Sequence, residues 1–132
     1  YVQYAHARVC SVLRKATAAG IVVSDDVLAK LDLSQLDHAA ELGVARKIAE
    51  WPRLVEIAAR TNEPHRVAFY LYELASELHG LWNKGHDDIT LRFLQTHDPA
   101  LSQVKIALAR AVAVVISAGL GILKVEPMDE LR

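Results

Sequence analysis

The chain has 132 residues, of which 52% are hydrophobic and 23% are charged, with a formal net charge of −1 at pH 7. A chain of this size fits one domain with a sizeable core, and the composition excludes a disordered segment. The near-neutral charge argues against nucleic-acid binding through bulk positive charge, so any such binding must be local. The one cysteine, Cys10, excludes an internal disulfide and is compatible with a reducing compartment.

The first predicted element is an amphipathic helix that ends at Gly20, since glycine favours a left-handed C-terminal cap. Apolar residues at helical spacing form its core-facing stripe: Val2, Ala5, Val9, Val12, Leu13 and Ala16. A second column lies beside the stripe, with Tyr1 at the border: Tyr4, Arg8, Ser11 and Lys15. Rings and cations in one column suit a base with its phosphates, although the solvated flank of an amphipathic helix is the simpler interpretation.

Residues 21–37 lose this periodicity and predict an irregular connection with one short helical turn after Ser24. A second helix is predicted from about Asp37 to Trp51-Pro52, because a residue before proline avoids helical geometry. Pro52 suits the first turn of a short third helix, which runs toward Asn62.

A long fourth helix follows Glu63-Pro64 and carries a regular apolar stripe, ending at Asn83-Lys84-Gly85. Residues 86–98 predict a polar loop, and Asp98-Pro99 starts a fifth helix that is apolar nearly all round, as in the middle of a bundle. The pattern predicts an all-α bundle of about five helices in one domain. The longest apolar run, residues 111–123, is too short to span a bilayer, so no membrane is expected.

The residues that could carry chemistry do not form a known catalytic or metal-binding motif. His79, His86 and Asp87 are interpreted as surface polar residues. His6 and Cys10 lie four residues apart, but no third group is evident to orient them, and a cysteine without activation is inert. No glycine-rich phosphate loop joins a strand to a helix. We therefore expect no catalytic residue, metal site or cofactor in this chain.

Recognition is the remaining function, and four residues are its best candidates: Tyr1, Tyr4, Arg8 and Trp82. Aromatic and arginine side chains dominate binding hot spots. Trp82 is expected to end its helix and project beyond the bundle, with capping of the core as the alternative.

Two blocks of the chain are distinctive. The first reads Tyr-Val-Gln-Tyr-Ala-His-Ala-Arg, and the second reads Glu-Pro-His-Arg-Val-Ala-Phe-Tyr-Leu-Tyr-Glu-Leu-Ala. With shorter blocks elsewhere, they resemble the C-terminal domain of bacterial arginyl-tRNA synthetases. The matching blocks are residues 1–8, residues 63–75, His79, residues 82–84, residues 107–112 and residues 119–121. They follow the family's order, and residues 21–50 are the least diagnostic part of the chain. The resemblance is to the DALR-type anticodon-binding domain, a helical bundle appended to a class I synthetase.

The resemblance implies a full-length arginine–tRNA ligase, a cytoplasmic enzyme that joins arginine to its tRNA with ATP and Mg²⁺. The first helix has no cap ahead of it, which predicts that residues 1–132 are a C-terminal fragment. The HIGH and KMSKS signatures of class I synthetases are absent, so we expect no catalysis by the chain alone. The expected partners are arginine tRNA and the protein's own catalytic domain, with neither DNA nor a membrane.

Carried over residue by residue, the resemblance assigns six residues to RNA: Tyr1, Tyr4 and Trp82 to bases, Arg8 and Asn83 to hydrogen bonding, and Lys84 to phosphate. The bases include the central cytosine of the anticodon, which would be splayed out and read on aromatic faces and polar edges. Contacts from Arg8 and Lys84 to phosphates predict weak binding that falls steeply with salt.

The chain departs from the family pattern in three places. Leu78 stands where relatives often carry an aromatic ring, the four letters that name the domain do not occur as such, and either Met128 or Leu131 could replace the family's terminal methionine. Two alternatives stay open, namely a helical protein-interaction module without RNA and the anticodon domain of another class I synthetase. Whether residues 21–37 order only with tRNA also stays open.

Overall fold

Five helices of eleven or more residues and one single-turn helix surround a common core in this computed structural model, which describes residues 1–130. The elements are α1 Val2–Ala18, α2 Asp25–Leu28, α3 Ala39–Ala49, α4 Trp51–Thr61, α5 His65–Asp87 and α6 Pro99–Ile122, with a short 3₁₀ helix at Ile89–Leu91. No strand occurs among the described residues. The prediction of an all-α bundle of about five helices is confirmed.

Helix α6 lies at the centre of the bundle and packs against α1, α2, α3 and α5. The Asp98 carboxylate caps it by accepting a hydrogen bond from the Leu101 amide at 3.1 Å, as the Asp-Pro pair predicts. Gly119 allows α6 to approach α5 closely, because a Cβ there would stand 2.7 Å from the Leu71 side chain.

One ion pair is buried between α6 and α3. The Lys105 ammonium lies 2.7 Å from the Glu41 carboxylate, and the two side chains are 6% and 4% exposed. Each charge satisfies the other in a place where an isolated charge would be very costly. The pair therefore fixes how these two helices sit against each other.

Helix α6 is the one helix in residues 1–130 whose length and apolar composition would suffice to cross a bilayer. It has 24 residues, and the apolar run of residues 111–123 forms its C-terminal half. However, 56% of its most apolar window is buried inside the bundle. Core packing accounts for its apolar composition.

The predicted helix ends are confirmed at α1 and α4. Gly20 adopts a left-handed φ of +81° just after α1, and the Ile21 amide donates back to the Ala16 carbonyl at 3.0 Å. Asn62 takes the left-handed conformation at the end of α4, with φ 53° and ψ 46°. The break between α3 and α4 falls at Glu50, so Trp51 starts α4 rather than ending α3.

The predicted end of the fourth helix was wrong. Helix α5 continues through Asn83-Lys84-Gly85 and ends at Asp87. Gly85 is buried, and a Cβ at this position would lie 3.2 Å from Cγ of Arg92, whose Nε donates to the Gly85 carbonyl at 2.7 Å. This glycine therefore allows the following loop to pack closely against the helix.

The connection after α1 contains the predicted short turn, α2, directly after Ser24. Arg110 of α6 holds this turn through its Nε, 2.9 Å from the Asp25 carboxylate. Leu28 and Leu36 are buried in the core. The connection is thus held to α6 by one ion pair and to the core by two leucines.

Candidate nucleic-acid interface

The second column of α1 lines a groove between α1 and α5. Four residues of the column line it, namely Tyr4, Arg8, Ser11 and Lys15. Trp82 of α5 faces them across the groove. The groove has a volume of about 420 Å³ and is completed by Ala7, Arg14 and Glu130. The column predicted from helical spacing is therefore the wall of a concave surface and not only a solvated flank.

Aromatic rings from α1 and α5 form a continuous series beside this groove. The Tyr1 ring centroid lies 4.9 Å from that of Tyr72 and 4.7 Å from that of His79. The Tyr4 ring stacks on His79 with centroids 5.6 Å apart and planes 28° from parallel. These spacings lie in the range of favourable aromatic pairs, so each ring restrains the next one.

Arg8 lies where α1 and α5 meet. Its guanidinium carbon is 4.4 Å from the Tyr4 ring centroid and 4.9 Å from the Trp82 ring centroid. Both distances are within cation–π range. Its Nη1 also donates to Nδ1 of His79 at 2.9 Å. The two candidate rings, Tyr4 and Trp82, are thus bridged by one planar cation.

His79 is only 6% exposed, so it is buried between these side chains and is not the surface residue that the sequence predicted. Because Arg8 can only donate, Nδ1 of His79 accepts, and Nε2 carries the proton toward the Tyr1 carbonyl at 3.3 Å. Burial first, and the charge of Arg8 as well, lower the pKa of His79. The imidazole therefore stays neutral near neutral pH and can keep accepting from Arg8.

Trp82 does not end its helix, as the sequence predicted, because α5 runs five residues further to Asp87. Its ring is half-buried and packs on Phe93 with centroids 6.1 Å apart. One side of the indole therefore caps the core while the other borders the groove. Both interpretations offered for Trp82 hold in part.

A second cavity of about 310 Å³ adjoins Trp82 on the side of the loop after α5. Cationic and titratable side chains line it together with Phe93 and Leu94: Lys15, His86 and Arg92. Lys15 and Trp82 line both cavities, so the two form one extended surface. Sequence reasoning missed Arg92 and His86 because they follow the predicted end of the fourth helix.

The six predicted residues do not all share this surface. The structure brings together Tyr4, Arg8 and Trp82 in the groove and places Tyr1 beside them through His79. Asn83 and Lys84 are exposed and, like Tyr1, line neither cavity. At about 100° per residue, Asn83 lies at the border of the Trp82 side of α5 and Lys84 points about 200° away from it. The cations nearest the groove are instead Arg8, Arg14 and Lys15.

The face is open to a ligand. Tyr1 is 57% exposed and Tyr4 is 44% exposed, although both rings are held by their neighbours. Three basic residues line the groove and Glu130 is the acidic residue among its lining. A local positive surface therefore exists on a chain whose net charge is −1.

Residues 125–130 fold back along α1 and reach the groove. The Met128 amide donates to Oε1 of Gln3 at 2.8 Å, and Nδ1 of His6 donates to the Met128 carbonyl at 2.8 Å. The last described residue of this segment, Glu130, enters the groove, whereas Met128 is not part of its lining. Leu131, the other residue considered in place of a terminal methionine, lies outside the described residues.

This segment also corrects one interpretation of His6 and Cys10. A third group does lie beside them, because the Asp129 carboxylate is 3.7 Å from the Cys10 sulfur. Burial first, and the nearby Asp129 as well, raise the pKa of the Cys10 thiol. An activated thiolate would need the opposite shift, so the cluster is not a nucleophile with its base.

The similarity to known proteins extends over nearly the whole chain. The family model of the DALR anticodon binding domain matches residues 2–131. The whole chain is 70% identical to a protein named arginine–tRNA ligase from Cereibacter sphaeroides strain KD131, and covers 23% of that protein's length. Proteins of the same name from Ruegeria pomeroyi and Paracoccus denitrificans are 68% and 65% identical over the whole chain, with 23% of each covered.

The chain therefore spans about a quarter of the length of these curated relatives. The family match covers nearly every residue, including both cavities and the helices that build them. The chain belongs to the DALR anticodon-binding domain family.

Proposed function

We propose that this chain is the C-terminal module of an arginine–tRNA ligase and that its α1–α5 face binds the anticodon loop of arginine tRNA. The observation that carries the proposal is that Arg8 bridges the Tyr4 and Trp82 rings on one open face, with the Tyr1 ring joined to them through His79. The family and the name shared by the relatives support arginine over another amino acid.

Unpaired bases of the loop would stack on the exposed parts of the Tyr1 and Tyr4 rings. Single-stranded RNA is commonly read in this way, on aromatic faces and on guanidinium planes. Arg8 offers such a plane between Tyr4 and Trp82, and its remaining N–H groups can donate to a base edge. The central cytosine of the anticodon is the base that we assign to this position.

The phosphates of the loop would meet Arg14 and Lys15, which line the groove. Asn83, at the border of the face, could donate to a neighbouring nucleotide. Lys84 would reach a phosphate where the RNA backbone passes round α5. We therefore expect Lys15→Gln to weaken binding more than Lys84→Gln does.

The remaining steps of the proposal concern the whole protein. Residues 1–132 would form one domain joined to a catalytic domain that binds ATP, Mg²⁺ and arginine in the cytoplasm. Within the described residues, no side-chain cluster on the α1–α5 face has the arrangement of a nucleophile with its base. We propose that the chain alone discriminates among anticodons and does not catalyse.

Titration with labelled anticodon stem-loops tests this function. One loop carries an arginine anticodon and the other differs only in its central cytosine. We expect weak binding, with the arginine loop preferred by about tenfold, which corresponds to about 1.4 kcal/mol for one stacked and hydrogen-bonded base. Equal affinity for the two loops would remove the base-reading proposal. Absence of binding to either would favour a helical protein-interaction module.

The salt dependence of the same titration tests the phosphate contacts. Each phosphate neutralised on a single strand contributes about −0.7 to the slope of log K against log salt. Lys15→Gln should make the slope shallower by about that amount. A flat response in the unmodified chain would contradict the proposed contacts of Arg14 and Lys15.

A further inference from the structure

Three potential metal ligands meet where residues 125–130 cross α1. His6 and Cys10 lie one helical turn apart on the same side of α1, and Asp129 approaches them from the returning segment. Each contributes one ligand atom: Nδ1 of His6, Sγ of Cys10 and a carboxylate oxygen of Asp129. The cluster therefore joins two distant parts of the chain through three chemically different donors.

The spacing of these atoms fits one ion. Cys10 Sγ lies 3.7 Å from His6 Nδ1 and 3.7 Å from Asp129 Oδ1, and the latter two atoms are 4.0 Å apart. A point about 2.2 Å from all three atoms exists at the centre of this triangle, close to the usual lengths of zinc bonds to sulfur, nitrogen and oxygen.

We propose that His6, Cys10 and Asp129 bind a divalent transition-metal ion, of which Zn²⁺ fits best. One thiolate, one imidazole and one carboxylate form a borderline donor set, which favours zinc over the oxygen-seeking Mg²⁺ and Ca²⁺. Three protein ligands leave a fourth tetrahedral position for water. The Met128 carbonyl, which now accepts from His6 Nδ1 at 2.8 Å, must move aside when that nitrogen binds the ion.

Binding of the ion releases a proton from the protein and involves no redox change. The Cys10 thiol loses its proton to solvent as the sulfur becomes a ligand. The imidazole of His6 now donates from Nδ1 to Met128, so its proton must move to Nε2 before Nδ1 can bind the ion. The affinity should therefore rise with pH.

The surroundings allow an ion to enter. The Asp129 side chain is 77% exposed, whereas that of His6 is 6% exposed, so the site has one fixed wall and one open side. The closest cation, Arg14, is directed at the Asp129 backbone carbonyl at 3.4 Å and leaves the carboxylate free to bind metal. A bound ion would fasten residues 125–130 to α1 beside the RNA groove.

Titration of the chain with Co²⁺ tests the site, because cobalt replaces zinc and is coloured. We expect a thiolate-to-cobalt charge-transfer band in the near ultraviolet, together with the strong visible bands of a tetrahedral ion, and displacement by Zn²⁺. Cys10→Ser should remove the charge-transfer band. Asp129→Asn should weaken Co²⁺ binding by about tenfold or more, whereas the exposed control Asp26→Asn should leave it unchanged.

Binding without a thiolate band would overturn the proposal, as would equal affinity in the chain and in Asp129→Asn. Asp129 is largely exposed, so its substitution should not disturb folding, and this variant decides the matter even if Cys10→Ser is unstable. The titration contains no RNA, and its outcome is therefore independent of the proposed function.

Discussion

Replacement of Arg8 by methionine tests whether the bridge between α1 and α5 is held as described. The change removes a hydrogen bond from a charged donor to buried His79, which contributes about 1.5–3 kcal/mol. It also removes cation–π contacts with Tyr4 and Trp82, at about 0.5–1 kcal/mol each. These contributions are not additive, and methionine keeps the packing of the arginine stem. We expect the free energy of unfolding to fall by about 2 kcal/mol.

Urea unfolding followed by circular dichroism measures this loss. With an m-value of about 2 kcal/mol/M, the midpoint should fall by about 1 M while the slope stays unchanged. Arg14→Met is the matched control, because Arg14 is 51% exposed and its ion pair with Glu130 is 4.0 Å long. We expect the control to change stability by less than about 0.5 kcal/mol. Equal effects of the two substitutions would refute the bridging role of Arg8.

Three further predictions concern stability. Because the pKa of His79 is lowered from 6.5, its neutral form stabilises the fold fully above that pH. The unfolding midpoint should therefore fall as the pH drops below 6.5, and this fall should be smaller in His79→Leu. Gly119→Ala should lower the thermal midpoint, because the new Cβ would clash at 2.7 Å with the facing leucine of α5. Gly121→Ala is the control: its Cβ would meet open space, so the midpoint should rise slightly. Lys105→Met should cost about 3–5 kcal/mol in urea unfolding, and adding Glu41→Leu should restore most of the loss; additive losses in the double variant would show that the buried pair is not coupled.

The face of α1 could be predicted from the sequence because helical spacing alone fixes which residues share a side. Tyr4, Arg8, Ser11 and Lys15 form a column at any tertiary arrangement of the helix, and the groove contains all four. The partner across the groove was predicted through Trp82, whose aromatic character marks it among mostly polar neighbours. Local periodicity and residue chemistry were sufficient for these parts of the site.

The end of α5 could not be predicted in the same way. Gly85 has the residue type of a helix terminus, but its role is set by a contact with Arg92, which lies seven residues later and folds back onto it. The misplaced helix end also hid the second cavity, which depends on the loop following Asp87. Tertiary contact overrode a local signal at this position.

His79 and Asp129 were missed because their partners are remote in sequence. His79 is separated from Arg8 by 71 positions and reads as one polar residue on a helix, although two hydrogen bonds make its burial favourable. Asp129 reaches Cys10 across 119 positions through a segment without helical periodicity. No pattern within either segment could indicate these pairings.

The central claim is that the Tyr4 ring contributes to reading the central anticodon base, and a thermodynamic cycle tests it most directly. The cycle compares the binding of two stem-loops that differ only in that base, in the unmodified chain and in Tyr4→Leu. Phe69→Leu serves as control because its exposed ring contacts His65 and lies outside the aromatic series. We predict that Tyr4→Leu lowers the discrimination between the loops by about 1 kcal/mol or more, while Phe69→Leu preserves it. If Tyr4→Leu leaves the discrimination unchanged, the assignment of this face to the anticodon is contradicted.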